Sequence, residues 1–344
     1  MSLTEKVGVC VIGSGRAGLI HARNFARVVP HAKLVAMVDP VEETVKIACA
    51  ELEIKTYYTD YADALADSNI DAVVVVTPTV LHREIVVNAA NSGKHVFCEK
   101  PMAMSIDECD EMIAACKDNE VKLQIGFMRR YDRGFMAAKE RIDNGEIGDV
   151  VLVRSCTRGP SIPQPWQYDI AASNGPLAEV NSHDIDTLRW FAESEIAEVY
   201  CIAGNYRCPQ AKEKHPDFYD NVIMSARFAN GLQGQVDGAV SVRYGYDAKV
   251  EILGTTGVLH IGRLDQSGVV VVNTESGIST PAVPSWRNLF LDAYLQEDRE
   301  FIDAITEDTV PRVTGHDGKM AVAVVNAGNR SIIEKRPVQL GDER

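Results

Sequence analysis

The sequence predicts an α/β protein in two parts: an open parallel sheet flanked by helices over residues 1–126, then an α+β part over 127–344 on a large, mainly antiparallel sheet. Three observations carry this reading. Up to residue 127, short apolar runs alternate regularly with helical stretches, as βαβ units do. From Glu198 to about Asn273 the apolar period is two, the pattern of an antiparallel sheet with one covered face. The 344 residues also exceed an ordinary single domain. No internal repeat or low-complexity linker marks the join, so the boundary at 126/127 rests on the change of period. The terminal helix is free to pack back on the first part.

Taken in order, the apolar strand at 7–12 runs straight into Gly13-Ser14-Gly15-Arg16-Ala17-Gly18 and a helical stretch at 19–29. A GxGxxG between a strand and a helix is the context in which the motif binds a dinucleotide. Its glycines allow a tight turn and a close backbone approach, and the helix N-terminus offers free N–H groups to a pyrophosphate. The first part therefore reads as a Rossmann dinucleotide-binding domain. The second strand, 33–38, ends at Asp39, about twenty residues past Gly18. A carboxylate there accepts hydrogen bonds from a ribose diol and repels a 2′-phosphate. The following Pro40-Val41-Glu42-Glu43 offers no cation in compensation. The cofactor expected is NAD and not NADP, with Arg16 in the loop able to touch a phosphate. The bland alternative is that Asp39 merely opens the Asp-Pro turn.

Helices at 41–52, 61–67 and 80–92 and strands at 56–58 and 72–76 follow. Thr77 and Pro78 stand at the carboxyl end of the 72–76 strand, where open parallel sheets gather their ligands. His95-Val96-Phe97-Cys98-Glu99-Lys100-Pro101 is a fifth strand that stops at charge and at a proline, which has no N–H for a ladder. Glu99 and Lys100 thus occupy a second such end. A helix at 105–119 opens on a capping box, Ser105 with Glu108, and 121–127 completes the set as a sixth strand.

Composition narrows the partners. At 46% hydrophobic and 24% charged residues, the chain can bury a sizeable core. A formal charge of -14 argues against nucleic acid or an anionic membrane surface. No uninterrupted apolar run approaches the ~20 residues of a membrane span. The opening residues lack the charged leader and apolar core of a signal peptide. The eight cysteines form no CxxC pair and lie mostly inside apolar stretches, so they read as reduced core residues of a cytoplasmic protein. No metal site is expected.

In the second part the sequence predicts a helix at 135–144, a strand at 149–156 and an irregular Pro-rich loop at 159–175 carrying Trp166 and Tyr168. A helix at 184–192 follows, with Asn181 or Ser182 as its N-cap. Strands are expected at 199–205, 220–228, 232–242, 247–253, 258–261 and 269–272, and helices at 289–306 and 316–334. His183 stands at the first turn of the 184–192 helix, between Glu179 and Asp184 in sequence. A helix N-terminus disfavours the imidazolium and keeps the ring able to accept a proton. A close carboxylate works the other way and orients the ring. Alone, such a histidine is a capping contact. In a chain with a nucleotide loop and a strand-end lysine it reads as a general base.

At this point the residues match a family. Gly13–Gly18, Glu99-Lys100-Pro101, Gly126-Phe127-Met128-Arg129-Arg130-Tyr131-Asp132 and His183-Asp184-Ile185-Asp186 together resemble the glucose–fructose oxidoreductase / inositol dehydrogenase (Gfo/Idh/MocA) family along nearly the whole chain. The seven-residue run, with Asp292-Ala293-Tyr294 and Thr314-Gly315-His316-Asp317-Gly318, looks most like the inositol 2-dehydrogenase branch. The resemblance implies a Rossmann domain followed by a domain on a large open antiparallel sheet, whose exposed face often builds a homo-oligomer (dimer or tetramer). It implies NAD-dependent oxidation of a ring hydroxyl of a cyclitol (myo-inositol to 2-keto-inositol) or a similar sugar, with Lys100 and His183 acting on the carbinol. In the family an Asp four residues before the His assists. Here that position holds Glu179, a departure by one methylene that bears on the identity of the polyol. Arg130, Tyr168, Asn181, Asp184 and Tyr294 are candidate partners for the polyol hydroxyls. The rivals are a scyllo-inositol, aldose or amino-sugar dehydrogenase with the same machinery, and a non-catalytic nucleotide-binding sensor that has no use for the Lys100/His183 pair.

Overall fold

The computed structural model of the protein describes residues 6–262, 272–274, 277–279 and 283–341. Its first elements alternate as expected: β1 Val7–Ile12, α1 Arg16–Arg27, β2 Ala32–Val38, α2 Glu42–Leu52, β3 Thr56–Tyr58, α3 Tyr61–Leu65, β4 Ala72–Val75, α4 His82–Asn91, β5 His95–Cys98, α5 Ile106–Asp118 and β6 Leu123–Ile125. The six strands pair in parallel in the order β3-β2-β1-β4-β5-β6. β1 and β4 are buried at every position, which is why they read as unbroken apolar runs. The strand order reverses at β1 and β4, and in such sheets that switch point opens the ligand crevice. The capping box before α5 is displaced by one residue. Ser105 Oγ accepts the Glu108 N–H at 3.2 Å, but Glu108 Oε2 reaches back to the N–H of Met104 at 2.8 Å.

The chain continues with α6 Arg133–Asp143, β7 Val150–Arg158, α7 Ile170–Ser173, α8 Gly175–Glu179, α9 Ser182–Ala192, β8 Ile196–Gly204, β9 Asn221–Phe228, β10 Gln233–Ala239, β11 Asp247–Gly254 and β12 Val258–Ile261. After these come β13 Val272–Thr274, β14 Gly277–Ser279, α10 Trp286–Leu289, α11 Leu291–Thr306, α12 Gly315–Glu334 and β15 Val338–Gln339. A seven-stranded sheet runs β12-β11-β7-β10-β9-β8-β15. Its neighbours are antiparallel except β7 and β10, which run parallel, so the sheet is mixed. The period of two marks a half-covered strand but carries no direction; direction is set by the long crossover between β7 and β10. Along β9 the alternation is clean, with Val222, Met224, Ala226 and Phe228 buried and Ile223, Ser225 and Arg227 exposed. α9 packs on the inner face at β7 and β10. Of the strand expected at 269–272, only Val272 lies within the described residues, where it opens β13.

Two compact units result: Met1–Tyr131 with Leu291–Val322, and Asp132–Phe290 with Ala323–Arg344. The chain passes between the units three times, the last inside α12. In the first unit α11 contributes Phe301 and Ile302 to a core with Phe25, Val74 and Phe97. An amphipathic period reveals that α11 has an apolar face, not which sheet that face covers. Among the described residues no helix is long and apolar enough to cross a membrane.

Candidate active site

The glycine loop between β1 and α1 has three different reasons for its three glycines. Gly13 has φ +109°, and a Cβ there would collide with the Val76 carbonyl oxygen. At Gly18 a Cβ would overlap the carbonyl of Gly13, so its absence lets α1 start hard against the loop. Around Gly15 there is nothing within 4 Å of a Cβ, which leaves the backbone open to close approach. Gly15 is also the N-cap of α1 and has no capping side chain, and Arg16 and Ala17 form the first helical positions. The N–H groups of that turn are thus available to an anion.

Asp39 Oδ2 accepts both the Ser14 N–H (3.0 Å) and the Ser14 hydroxyl (2.6 Å), while Oδ1 accepts the Val41 N–H at 3.0 Å. The carboxylate therefore both opens the turn and shapes the loop, and one of its roughly four lone-pair positions is left for a ribose hydroxyl. At the end of β4, Thr77 Oγ1 is buried without a hydrogen-bond partner among the described residues. Pro78 follows as the N-cap of a 3-10 turn, Thr79–Leu81. His82 lies between the carbonyl oxygens of Thr77 and Pro101, each 2.9 Å from a ring nitrogen, and so ties the end of β4 to the end of β5. Burial holds this ring below the usual histidine range. An open helix start, an orphan hydroxyl and a spare carboxylate lone pair at one switch point fit a dinucleotide.

Glu99 and Lys100 leave β5 into a cis peptide at Pro101. The Lys100 N–H donates to Glu99 Oε2 at 3.0 Å. Glu99 Oε1 lies 3.1 Å from His21 Nε2, and His21 Nδ1 lies 2.6 Å from Asp298 Oδ1. Tyr294 is buried, with its ring edge-on to His21 at 5.4 Å. Arg130 is buried and paired with Asp317 at 2.8 Å. Sequence reasoning missed His21, His82 and Asp298. The one available signal is that His21 shares the buried side of α1 with Gly18, Ala22 and Phe25, where a polar residue needs a partner.

In the second unit, α8 ends at Glu179, whose Oε2 accepts Gln167 Nε2 at 3.1 Å. Asn181 is the N-cap of α9, but its side chain makes no capping bond; Nδ2 donates to Asp184 Oδ2 at 2.7 Å. Asp184 Oδ1 accepts the hydroxyls of Ser155 and Thr157 from β7, so this carboxylate is taken up inside the protein. Asn181 Oδ1, also buried, has no hydrogen-bond partner among the described residues. His183 is the second residue of α9 and is buried. Tyr168 stands in a small separate core with its ring edge-on to Phe218 at 4.9 Å, and its hydroxyl accepts Gln210 Nε2 at 2.7 Å.

Residues 7–127 match the GFO/IDH/MocA oxidoreductase family with an NAD-binding Rossmann fold, and residues 135–260 match the GFO/IDH/MocA C-terminal domain. The chain belongs to the GFO/IDH/MocA family. Among relatives of this member, the myo-inositol 2-dehydrogenase of Thermotoga maritima is 34% identical over 96% of this chain and 97% of its own length. The scyllo-inositol 2-dehydrogenase (NAD(+)) of Bacillus subtilis is 33% identical over 99% and 98%. A scyllo-inositol dehydrogenase from Lactobacillus casei, solved with NAD(H) and scyllo-inositol, matches with a TM-score of 0.89 at 28% identity, covering 98% of this chain and 100% of the other. The GFO/IDH/MocA match to 7–127 takes in the glycine loop, Asp39, Thr77 and Lys100, and the match to 135–260 takes in His183.

Proposed function

We propose that this chain is an NAD-dependent dehydrogenase that oxidises a ring hydroxyl of a cyclitol, with myo-inositol to 2-keto-inositol as the first candidate. The observation that carries the reading is a buried His183 at the start of α9 in a chain that carries Lys100 two residues past β5, a pair that a nucleotide sensor does not need. Full-length relatives named for myo- and for scyllo-inositol support the substrate class, and scyllo-inositol is the second candidate on the same ground.

The chemistry follows from what alcohol oxidation needs. Bound NAD supplies the hydride acceptor. Lys100 supplies a fixed cation to the developing alkoxide. His183 accepts the hydroxyl proton at a ring nitrogen, with Glu179 assisting from four residues upstream. Asn181 offers Oδ1 to a substrate hydroxyl, and Asp184 holds the amide in that orientation through Nδ2. Tyr168, Arg130 and Tyr294 are candidates for the remaining hydroxyls, Arg130 while still paired with Asp317. On the cofactor side Asp39 bonds the ribose diol and the Gly13–Gly18 loop receives the pyrophosphate.

The same proposal includes a cytoplasmic homo-oligomer. Eight free cysteines, Cys109 and Cys116 among them pushed up to about 12 by burial, suit a reducing compartment. The outer face of the second sheet exposes Tyr200, Ile202 and Ile223 on the neighbouring strands β8 and β9, an apolar patch suited to a second copy. The deciding experiment is a panel of inositol isomers, aldoses and amino sugars assayed with NAD for NADH absorbance. Turnover of an inositol isomer is expected. Silence across the whole panel would refute the enzyme and favour the sensor.

A further inference from the structure

His21 follows the last glycine of the loop by three residues and is fully buried on the inner side of α1. A buried imidazole without partners would be neutral and inert. This ring instead has a carboxylate at each nitrogen, Asp298 at 2.6 Å from Nδ1 and Glu99 at 3.1 Å from Nε2. Asp298, on α11, is itself fixed by Asn24 Nδ2 at 2.7 Å. The second oxygen of Glu99 accepts the Lys100 N–H. Glu99 has little room to turn, because the backbone of Gly126 lies so close that a Cβ there would come within 3.0 Å of the carboxyl carbon. A chain of contacts thus runs from α11 through α1 to the main chain of Lys100.

We propose that His21 is a positioning residue for Lys100: clamped between Asp298 and Glu99, it fixes the Glu99 carboxylate that holds the Lys100 backbone. The inference rests on the reading of Lys100 as the group that meets the alkoxide. A neutral ring donates to one carboxylate only, whereas an imidazolium donates to both. Burial pulls the ring down, but the charge and hydrogen bond of Asp298, with those of Glu99, outweigh it and hold His21 well above the usual histidine range. Other ionisable groups that face the cluster include Glu297 and Tyr294, with His82 and Cys98 feeling the charge of Glu99 and Tyr131 that of Glu297. Burial, with the charge of Glu99 adding, keeps Glu297 well above the usual carboxylate range, so it does not compete for the cation as a third anion. Geometry leaves one rival: His21, Glu99 and Glu297 bring ligand atoms within 4.8 Å of one another, and Asp298 would be the outer partner of a metal-bound imidazole.

The test uses His21→Gln, which keeps a donor and removes the charge. Displacing a reacting group by an ångström lowers turnover by up to ~100-fold, so kcat should fall roughly 10- to 100-fold. NAD affinity by fluorescence titration should stay within about threefold, since no loop glycine is touched. In a Lys100→Met background the same substitution should cost less than about twofold, because the positioned group is gone. Amide exchange of residues 99–104 should quicken by about tenfold or more while other segments keep wild-type rates. Asp298→Asn should reproduce the pattern if His21→Gln fails to fold. An unchanged kcat, an undiminished loss in the Lys100→Met background, unchanged or globally raised exchange, or a stoichiometric divalent metal by elemental analysis would each overturn the proposal. A wild type silent on every polyol overturns the proposed function instead, and the exchange measurement still decides this one.

Discussion

Asp39 Oδ2 takes two hydrogen bonds from a single residue, the N–H of Ser14 at 3.0 Å and its hydroxyl at 2.6 Å. The carboxylate just past β2 is therefore part of the glycine loop's own scaffold, in addition to the role toward the ribose proposed for it. Its removal should act twice, through the lost diol bond and through a looser loop. Asp39→Ala is expected to lower kcat/KM for NAD by roughly 10- to 100-fold, the range for a charge-assisted hydrogen bond. It should also improve NADP relative to NAD. Ser14→Ala touches the scaffold alone, so it should weaken NAD modestly and leave the NAD/NADP ratio near wild type. Steady-state kinetics with both cofactors separates the cases; an unchanged ratio in Asp39→Ala would take this residue out of cofactor choice.

Gly15 and Gly18 should respond oppositely to the same added methyl group. At Gly18 the Cβ meets the Gly13 carbonyl, rigid backbone that cannot rotate away. Gly18→Ala is expected to destabilise by about 1–3 kcal/mol or more, the usual range for overpacking. Gly15→Ala meets nothing within 4 Å and should leave stability within about 0.5 kcal/mol of wild type. It should nevertheless weaken NAD if, as proposed, the glycine loop receives the pyrophosphate in that open space. Urea midpoints and NAD titrations on both variants are the measurements. A Gly15→Ala protein with wild-type affinity would place the pyrophosphate elsewhere.

The buried cluster of the first unit should make the protein lose stability as the medium becomes alkaline. His21 and Glu297 both bind a proton more tightly in the folded state, the first because Asp298 and Glu99 outweigh its burial, the second through burial. Their contribution is complete below the unfolded values, about 6.5 for the histidine and 4.5 for the glutamate, and is lost as pH rises through the raised folded values. The urea midpoint is expected to decline as pH increases above about 6.5, and His21→Gln should flatten that limb. A wild-type midpoint that climbs with pH over the same interval would contradict the protonated cluster.

Lys100→Met keeps most of the aliphatic volume and removes the charge. Loss of one preorganised stabiliser typically lowers turnover ~100- to 1,000-fold. The loss should fall on kcat, with NAD titration nearly normal. A variant that turns over at the wild-type rate would remove Lys100 from the mechanism.

Legibility from the sequence followed the range of the interactions. β1, β4 and β5 could be read directly because strands buried on both faces leave unbroken apolar runs, and the place of Asp39 beside the glycine loop because its spacing from the glycines is part of a local βαβ unit. Ser105 announced the start of α5 for the same reason. What stayed hidden depends on partners far away in the chain. His21 and Asp298 are 277 residues apart, and nothing in either neighbourhood names the other. Ser155 and Thr157 look like ordinary polar positions of β7 until Asp184 is seen to accept both hydroxyls. α7 and α8, of four and five residues, are too short for any period to appear. The parallel pairing of β7 with β10 and the return of 291–322 to the first unit are properties of topology, which a residue pattern does not encode.

His183 separates an enzyme from a sensor. Oxidation needs a ring nitrogen able to take the hydroxyl proton, so the rate should rise with pH as the imidazole loses its own. Reduction of the ketone needs a donor and should show the opposite trend. His183 is buried at the start of α9, and the Asn181–Asp184 hydrogen bond beside it does not involve the substituted ring. His183→Asn should accordingly fold, as checked by circular dichroism, and bind NAD normally. It should lose turnover by roughly 100- to 10,000-fold, the range for a positioned acid–base group, and with it the acidic limb of the profile. The measurement is a pH–rate profile of both proteins in both directions at saturating cofactor. A brisk His183→Asn enzyme that keeps the same acidic limb would assign the base to another group, and Glu179, four residues upstream, would be the next to substitute.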